Sequence, residues 1–234
     1  GTADAAARRL AHRPPARYHA LMLDTARTAP EIEAAKPDLA IVGVGSVEQH
    51  SAHLPVDTDF LIAARAAPLV AERLGALSLP ALPYSVCIEH RGFAGVVALT
   101  PDTIRRIAWD IAGSVGRWGV RHLVFLTFHG GNFVLNPAAR EWNMDGRSPR
   151  IFWVDFYAGL SDVGQNLHAC EVETSIMLHL APERAARLHG GNGGRHREAP
   201  CCVGAQGRRG HSSSESSASS ARRSRIVFRR VKSL

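Results

Sequence analysis

Cysteine is scarce: the 234 residues hold four, Cys87, Cys170, Cys201 and Cys202, without a C-x-x-C spacing and with the last two adjacent. That excludes a disulfide framework and a cysteine-based zinc ribbon, and makes a reducing cytoplasm the expected compartment. Long apolar runs are also missing. No stretch approaches the roughly 18 residues of a membrane span, and residues 1–17 mix Ala and Arg without the apolar centre of a secretory signal. Neither a membrane partner nor an exported chain is expected. Acidic residues are the minority charge, 21 against 28 Lys and Arg, an excess that by itself suggests an anionic partner. Its distribution argues otherwise. Residues 190–234 carry ten Lys or Arg against two acidic residues, leaving eighteen against nineteen in residues 1–189. The basic character belongs to the C-terminal segment, and a nucleic-acid partner is not expected for the rest.

The remaining composition, 45% hydrophobic and 21% charged, suits an ordinary globular chain and excludes one that is disordered or fibrous throughout. The length fits one α/β domain. Residues 39–45 (Leu-Ala-Ile-Val-Gly-Val-Gly) read as a strand buried on both faces of a parallel sheet. Phe60 to Leu74 has helical periodicity, with Leu61, Ala64, Ala67 or Pro68, and Ala71 along one face, and 76–82 reads as a second strand. Thr100-Pro101 supplies an N-cap and an N1 proline for a helix to about Trp118, followed by a strand at 122–127. A short helix starts at Asn136-Pro137, a strand covers 151–156, and a helix covers 171–181. This alternation predicts a three-layer α/β/α fold with a mainly parallel sheet. We divide the chain into an N-terminal segment 1–37, a catalytic domain 38–189, and a basic Ser/Arg/Gly-rich tail 190–234 with too few apolar residues to order itself.

Ligands of open α/β sheets bind at the carboxyl ends of the strands, and three polar clusters follow strands there. The first is Ser46-Val47-Glu48-Gln49-His50 through Asp59, where Glu48 and His50, two apart in an extended segment, share one side. The second is His129-Gly130-Gly131-Asn132, whose glycines let backbone approach a ligand. The third runs from His168 through Glu171 and Glu173 to Ser175, where helical spacing of His168 and Glu171 predicts that the two face the same way. Singly, each has an ordinary structural explanation as a surface histidine, a turn or a helix-dipole partner. Together they gather at least three carboxylates and three imidazoles at one sheet edge. Such a set is costly without a metal, and its donors suit Zn, Mn or Fe.

The combined segments Ser46-x-Glu48-Gln49-His50-x-x-His53-Leu54-Pro55-x-x-Thr58-Asp59, His129-Gly130-Gly131-Asn132 and His168-x-x-Glu171-x-Glu173-Thr174-Ser175 resemble the three signature segments of the creatininase family. Glu89-His90 with Phe93-x-Gly95 resembles the segment between the first two. The resemblance covers roughly residues 38–183 and implies a creatininase-like fold, a cytoplasmic homo-oligomer, often a hexamer, and hydrolysis of amide-type C–N bonds with two divalent metal ions. It implies that Glu48 and His129 hold one metal, His50 the other, and Asp59 bridges them. Creatinine-hydrolysing members carry a further ligand, a Glu, where this chain has Gly131. Glu171 is the expected replacement. His168 matches the catalytic histidine, with Glu173 beside it as a catalytic candidate or alternative ligand. The chain departs from the pattern at Ser51-Ala52, Thr127-Phe128 and Cys170, and in its basic tail.

The expected function is thus metal-dependent hydrolysis of a cyclic amide, a formamide or a peptide-like substrate. A phosphoester hydrolase is the poorer fit, because Arg91 is the one candidate near the clusters to hold a phosphate. The alternative is a catalytically impaired relative or binding protein whose basic tail contacts an anionic partner.

Overall fold

The computed structural model describes residues 22–158 and 168–185. Helix α1, Ala29–Ala35, lies within the N-terminal segment. It begins where the Glu31 carboxylate accepts from the Thr28 backbone N–H at 2.8 Å and from its hydroxyl at 2.7 Å, a local N-terminal stop signal. The order then runs β1 (Leu39–Val44), α2 (Thr58–Leu74), β2 (Leu77–Leu82), α3 (Pro101–Gly116), β3 (His122–Thr127), α4 (Leu135–Met144), β4 (Arg150–Asp155), α5 (Glu171–Leu180) and α6 (Pro182–Ala185). Short 3-10 turns occupy Ile88–His90 and Gly130–Val134. The expected N-cap is present, with the Thr100 hydroxyl accepting from the Thr103 N–H at 3.3 Å. The basic tail lies outside the described residues.

The four strands are parallel in the order β2-β1-β3-β4. Leu39 to Val44 pair in unbroken register with His122 to Thr127. Alternation then sends side chains to two cores. On one face Ile41, Leu126 and Phe128 pack with Ile62, Ala63 and Ala66 of α2 and with Val172, Ile176 and Met177 of α5. On the other, Ala40, Val42, Leu123 and Phe125 pack with Ile104, Ala108 and Ala112 of α3 and with Leu135, Ala139 and Trp142 of α4. The layers are therefore α/β/α.

One detail differs in part from the sequence expectation. The buried apolar stripe of α2 is Ile62, Ala63, Ala66, Ala67 and Ala71: Ala67 and Ala71 of the expected row lie in it, while Leu61 and Ala64 are only partly buried at its margin. Because the helix starts at Thr58, Asp59 sits inside its first turn. On α5 the buried positions are Val172, Glu173, Ile176 and Met177. Because β1 leads to β2 on one side and the chain then crosses to β3 on the other, the strand order reverses between β1 and β3. Their adjacent carboxyl ends frame the crevice where such sheets bind ligands.

Candidate metal centre

From the end of β1 the chain turns at Gly45, where an added Cβ would lie 2.4 Å from the Phe60 backbone nitrogen. No larger residue leaves room for α2 to begin so close. The segment that follows is extended, so its side chains alternate: Ser46, Glu48 and His50 are buried, while Val47 and Gln49 are partly exposed. The Glu48 N–H donates to the Val56 carbonyl at 2.8 Å, closing the loop back toward α2. Asp59, buried in the first turn of α2, meets that loop.

Asp59 lies between two imidazoles. Its Oδ1 is 3.1 Å from His50 Nε2 and its Oδ2 is 3.2 Å from His129 Nδ1. The Ser46 hydroxyl donates to Oδ2 at 2.8 Å. Glu48 Oε1 lies 3.0 Å from His129 Nδ1, and Glu173 Oε2 lies 3.7 Å from His50 Nε2. Both histidines are anchored from behind: His129 Nε2–H donates to the Val86 carbonyl at 2.8 Å, and His50 Nδ1–H donates to the Glu48 carbonyl at 3.2 Å. A carbonyl only accepts, so each neutral ring carries its hydrogen on the far nitrogen and turns a lone pair toward the carboxylates. Metal-ligating histidines are oriented in this way.

The carboxylates are under-satisfied. Among the described residues, both Glu48 oxygens and Glu173 Oε2 are buried without a hydrogen-bond partner, although His129, His168 and His90 stand at ion-pair distance from Glu48 and His50 from Glu173. Buried carboxylate oxygens left in that state are costly, and cations would satisfy them. Among the described residues, Glu48, Asp59 and His129 form one group able to hold a metal, His50, His168 and Glu173 a second, and Glu48, His90 and His168 a third. The donor set of imidazole nitrogens and carboxylate oxygens fits a divalent transition metal.

Charge balance in the metal-free site follows from the same contacts. Burial disfavours the His50 imidazolium, but its bond to Asp59 and the fields of Asp59, Glu173 and Glu48 outweigh this and raise it to about 9. His129 is likewise raised well above the ordinary imidazole value, Asp59 and Glu48 prevailing over burial. Burial alone would raise the Asp59 carboxyl, yet its bonds with His129 and His50 hold it far below the usual range. For Glu48, burial is similarly overcome by His129 and His168, and the net direction is down. Glu173 goes the other way. Its burial and the neighbouring Asp59 charge push it up to about 7.

The third cluster corrects one expectation. His168 does not lie on the same helix as Glu171: it sits in a bend, Ala169 has a left-handed φ of 49°, Cys170 is extended, and α5 starts only at Glu171. Helical spacing therefore does not apply between them. His168 is half-buried with Nδ1 3.3 Å from Glu48 Oε1 and its ring 4.6 Å from that of His50, whereas Glu171 is exposed and belongs to none of the three groups. It is Glu173 that points inward from the helix. Near Gly131, an added Cβ would lie 1.9 Å from the Val86 carbonyl oxygen and 2.5 Å from His129 Nε2. A side chain there would displace the carbonyl that orients His129.

Three further residues enter the site without having been assigned roles from the sequence. Ser46 bonds Asp59, His90 Nε2 lies 3.5 Å from Glu48 Oε2, and Gln49 bridges His90 and His168. Ser46 shares the alternation that marks Glu48 and His50, a signal available in the sequence; the His90 contact spans two loops, and its signal was the resemblance of the Glu89-His90 segment, not a local spacing. His53 Nε2–H meets the Thr174 hydroxyl at 3.2 Å, which in turn donates to the Cys170 carbonyl at 2.8 Å. That chain of bonds ties the first cluster to the start of α5.

A family model described as creatininase, creatinine amidohydrolase, matches residues 25–223 and so continues past His189 into the basic segment. Over 164 residues the chain is 34% identical to the mycofactocin precursor peptide peptidase of Mycobacterium ulcerans (strain Agy99), covering 65% of this chain and 63% of that one. It is 29% identical over 164 residues to the creatinine amidohydrolase of Pseudomonas putida, covering 60% of this chain and 63% of the relative. The chain thus spans less than two thirds of the length of either relative. A solved structure titled "Creatininase Mn" superposes with a TM-score of 0.60 at 26% identity, covering 70% of this chain and 75% of that one. With the family model matched over most of its length and the same α/β/α architecture, this chain belongs to the creatininase family.

Proposed function

We propose that the chain is a metal-dependent hydrolase of amide-type C–N bonds, acting on a small cyclic amide, a formamide or a peptide-like substrate. The carrying observation is Asp59 set between two imidazoles whose far nitrogens are both tied to backbone carbonyls, with buried carboxylate oxygens of Glu48 and Glu173 alongside that have no hydrogen-bond partner among the described residues. In this reading Glu48, Asp59 and His129 hold one ion, and His50, Asp59 and Glu173 hold the other. Glu173 takes the place first assigned to Glu171, because it is the buried carboxylate of α5 facing His50. When bound, two divalent ions, Zn, Mn or Fe, supply carbonyl polarisation and an acidified water.

The remaining work falls to the protein. Ser46 and the two imidazoles hold Asp59 in one orientation, so the ligands need little rearrangement. His168 is half-buried at the edge of the cluster beside Glu48 and serves to deliver a proton to the leaving nitrogen, which departs poorly as an anion. The relatives' printed activities, on a peptide precursor and on creatinine, support the amide class and leave the substrate's size open. Cytoplasmic location and assembly as a homo-oligomer are carried with the proposal. No helix among the described residues is long and apolar enough to cross a membrane.

The test is elemental analysis of the purified full chain and of Asp59→Asn, together with a screen of lactams, formamides and short peptides after loading with Zn, Mn or Fe. Two ions per chain, both lost in folded Asp59→Asn, and hydrolysis reversed by chelation are expected. In His168→Ala, turnover should fall by about 10²–10⁴-fold. A folded Asp59→Asn that keeps both ions would overturn the bridge; a fully loaded protein inert on every class would identify an impaired relative instead.

A further inference from the structure

We infer that Gln49 is a positioning residue: it fixes the tautomers of His90 and His168 and thereby keeps the group formed by Glu48, His90 and His168 from taking up an ion. Three donors able to hold a metal meet there, as they do in the group of Glu48, Asp59 and His129. What differs is the partner behind the imidazoles.

The Gln49 amide has one arrangement compatible with its neighbours. Its Oε1 accepts the Ser51 backbone N–H at 3.0 Å. Exchanging the amide oxygen and nitrogen would set two donors against each other, so the NH2 group must face the other way. There it lies 3.2 Å from His90 Nδ1 and 3.1 Å from His168 Nε2. Its two hydrogens serve the two rings. Both of those ring nitrogens therefore accept, and in the neutral imidazoles the ring hydrogen is left on His90 Nε2 and on His168 Nδ1. These are the nitrogens that face Glu48, at 3.5 Å and 3.3 Å.

A ring nitrogen that carries a hydrogen has no lone pair for a metal. His50 and His129 are backed by carbonyls, which draw the ring hydrogen outward and leave the inner nitrogen open. His90 and His168 are backed by an amide NH2, which does the reverse. One side chain thus separates histidines of opposite function around the same carboxylates. The two rings are also nearly parallel, stacked at 4.6 Å with 18° between their planes, which keeps them side by side for the single amide.

With Nδ1 carrying the hydrogen and Nε2 accepting from Gln49, the neutral His168 ring has no open nitrogen for the group it forms with His50 and Glu173 either. The position of the amide depends on the Ser51 turn, where a non-glycine residue is held at φ 58°. Strain of that kind persists where surrounding structure demands it. The catalytic consequence, a His168 hydrogen carried on the nitrogen that faces the cluster, rests on the hydrolase reading; the tautomers themselves do not.

The experiment is long-range proton–nitrogen NMR of the metal-free full chain labelled with 15N-histidine, at a pH where both rings are observed neutral. Signals are assigned with His90→Gln and His168→Gln. The expected pattern is a hydrogen on Nδ1 of His168 and on Nε2 of His90. Gln49→Glu, which replaces the donor by an acceptor of equal length, should reverse both tautomers and raise zinc uptake by one ion per chain over the unaltered protein. Gln49→Ala should abolish the preference for Nδ1–H in His168. If Gln49→Glu fails to fold, the unaltered protein and Gln49→Ala decide. His168 observed with its hydrogen on Nε2, or tautomers indifferent to Gln49, would overturn the inference, and reversal without an added ion would overturn the exclusion of metal. None of these readouts depends on hydrolysis, so an inactive protein leaves them intact.

Discussion

Stripping the metal should leave a site whose protonation works against the fold as pH rises. In the metal-free protein His50 is held up to about 9, against an ordinary 6.5, and Glu173 up to about 7, against 4.5. Both groups bind their proton more tightly in the folded chain than in the unfolded one. The His50 contribution is therefore fully present below pH 6.5 and lost as pH rises through 9; that of Glu173 is present below 4.5 and lost through 7. Displacements of this size correspond to about 3 kcal/mol for each group. His129, held well above the ordinary imidazole value by Asp59 and Glu48, acts in the same direction above pH 6.5, and since all three face Asp59 their contributions do not simply add. Asp59 and Glu48 are held below their ordinary values, so their stabilisation is already complete across this range. His53 and His90, lowered chiefly by burial, oppose the trend between their folded values and 6.5. The net expectation is a loss of about 3 kcal/mol or more between pH 5 and 9, read from urea unfolding in chelator. Loading the ions displaces the same protons. Calorimetric titration with zinc at pH 7, in buffers of differing ionisation enthalpy, should record release of about two to three protons per chain, from His50, His129 and part of Glu173. A metal-free stability that is flat or rises from pH 6 to 9, or zinc binding without proton release, would refute the reasoning.

Glu173→Gln should lose one of the two ions while Glu171→Gln keeps both; elemental analysis with the opposite outcome would return the ligand role to Glu171. Gly131→Ala should cost about 3 kcal/mol in urea unfolding, because its Cβ would lie 1.9 Å from the Val86 carbonyl oxygen. A cost below about 1 kcal/mol would show that the loop yields freely. Placing glutamate at 131 should for the same reason disturb His129 and not restore a ligand. Ser51→Gly should stabilise the fold by about 0.5–1 kcal/mol by relieving the left-handed backbone there, and a lower melting temperature would contradict that.

Much of this protein was legible in the chain itself. Unbroken apolar runs marked β1 and β3, Thr100-Pro101 marked the start of α3, and each of the three polar clusters followed a predicted strand or opened a helix. Such features are local: they depend on side-chain periodicity, on missing N–H groups and on capping oxygens within a few residues. The alternation of Glu48 and His50 in an extended segment was likewise readable, since period two needs no partner.

Tertiary structure decided the rest. Whether Glu171 or Glu173 faces the cluster turned on where α5 begins, which left-handed Ala169 and extended Cys170 determine. Helical spacing could not be extended back to His168. The crowding at Gly131 comes from the Val86 carbonyl, 45 residues away in sequence order and unseen by any local pattern. The division of the histidines between open lone pairs and outward-held hydrogens depends on what stands behind each ring: a carbonyl for His50 and His129, the Gln49 amide for His90 and His168. Residue type sets which donors and acceptors are available. Only the packing of β1, β3 and their loops sets which donor meets which acceptor, because those partners are brought together by the sheet and not by neighbouring positions in the chain.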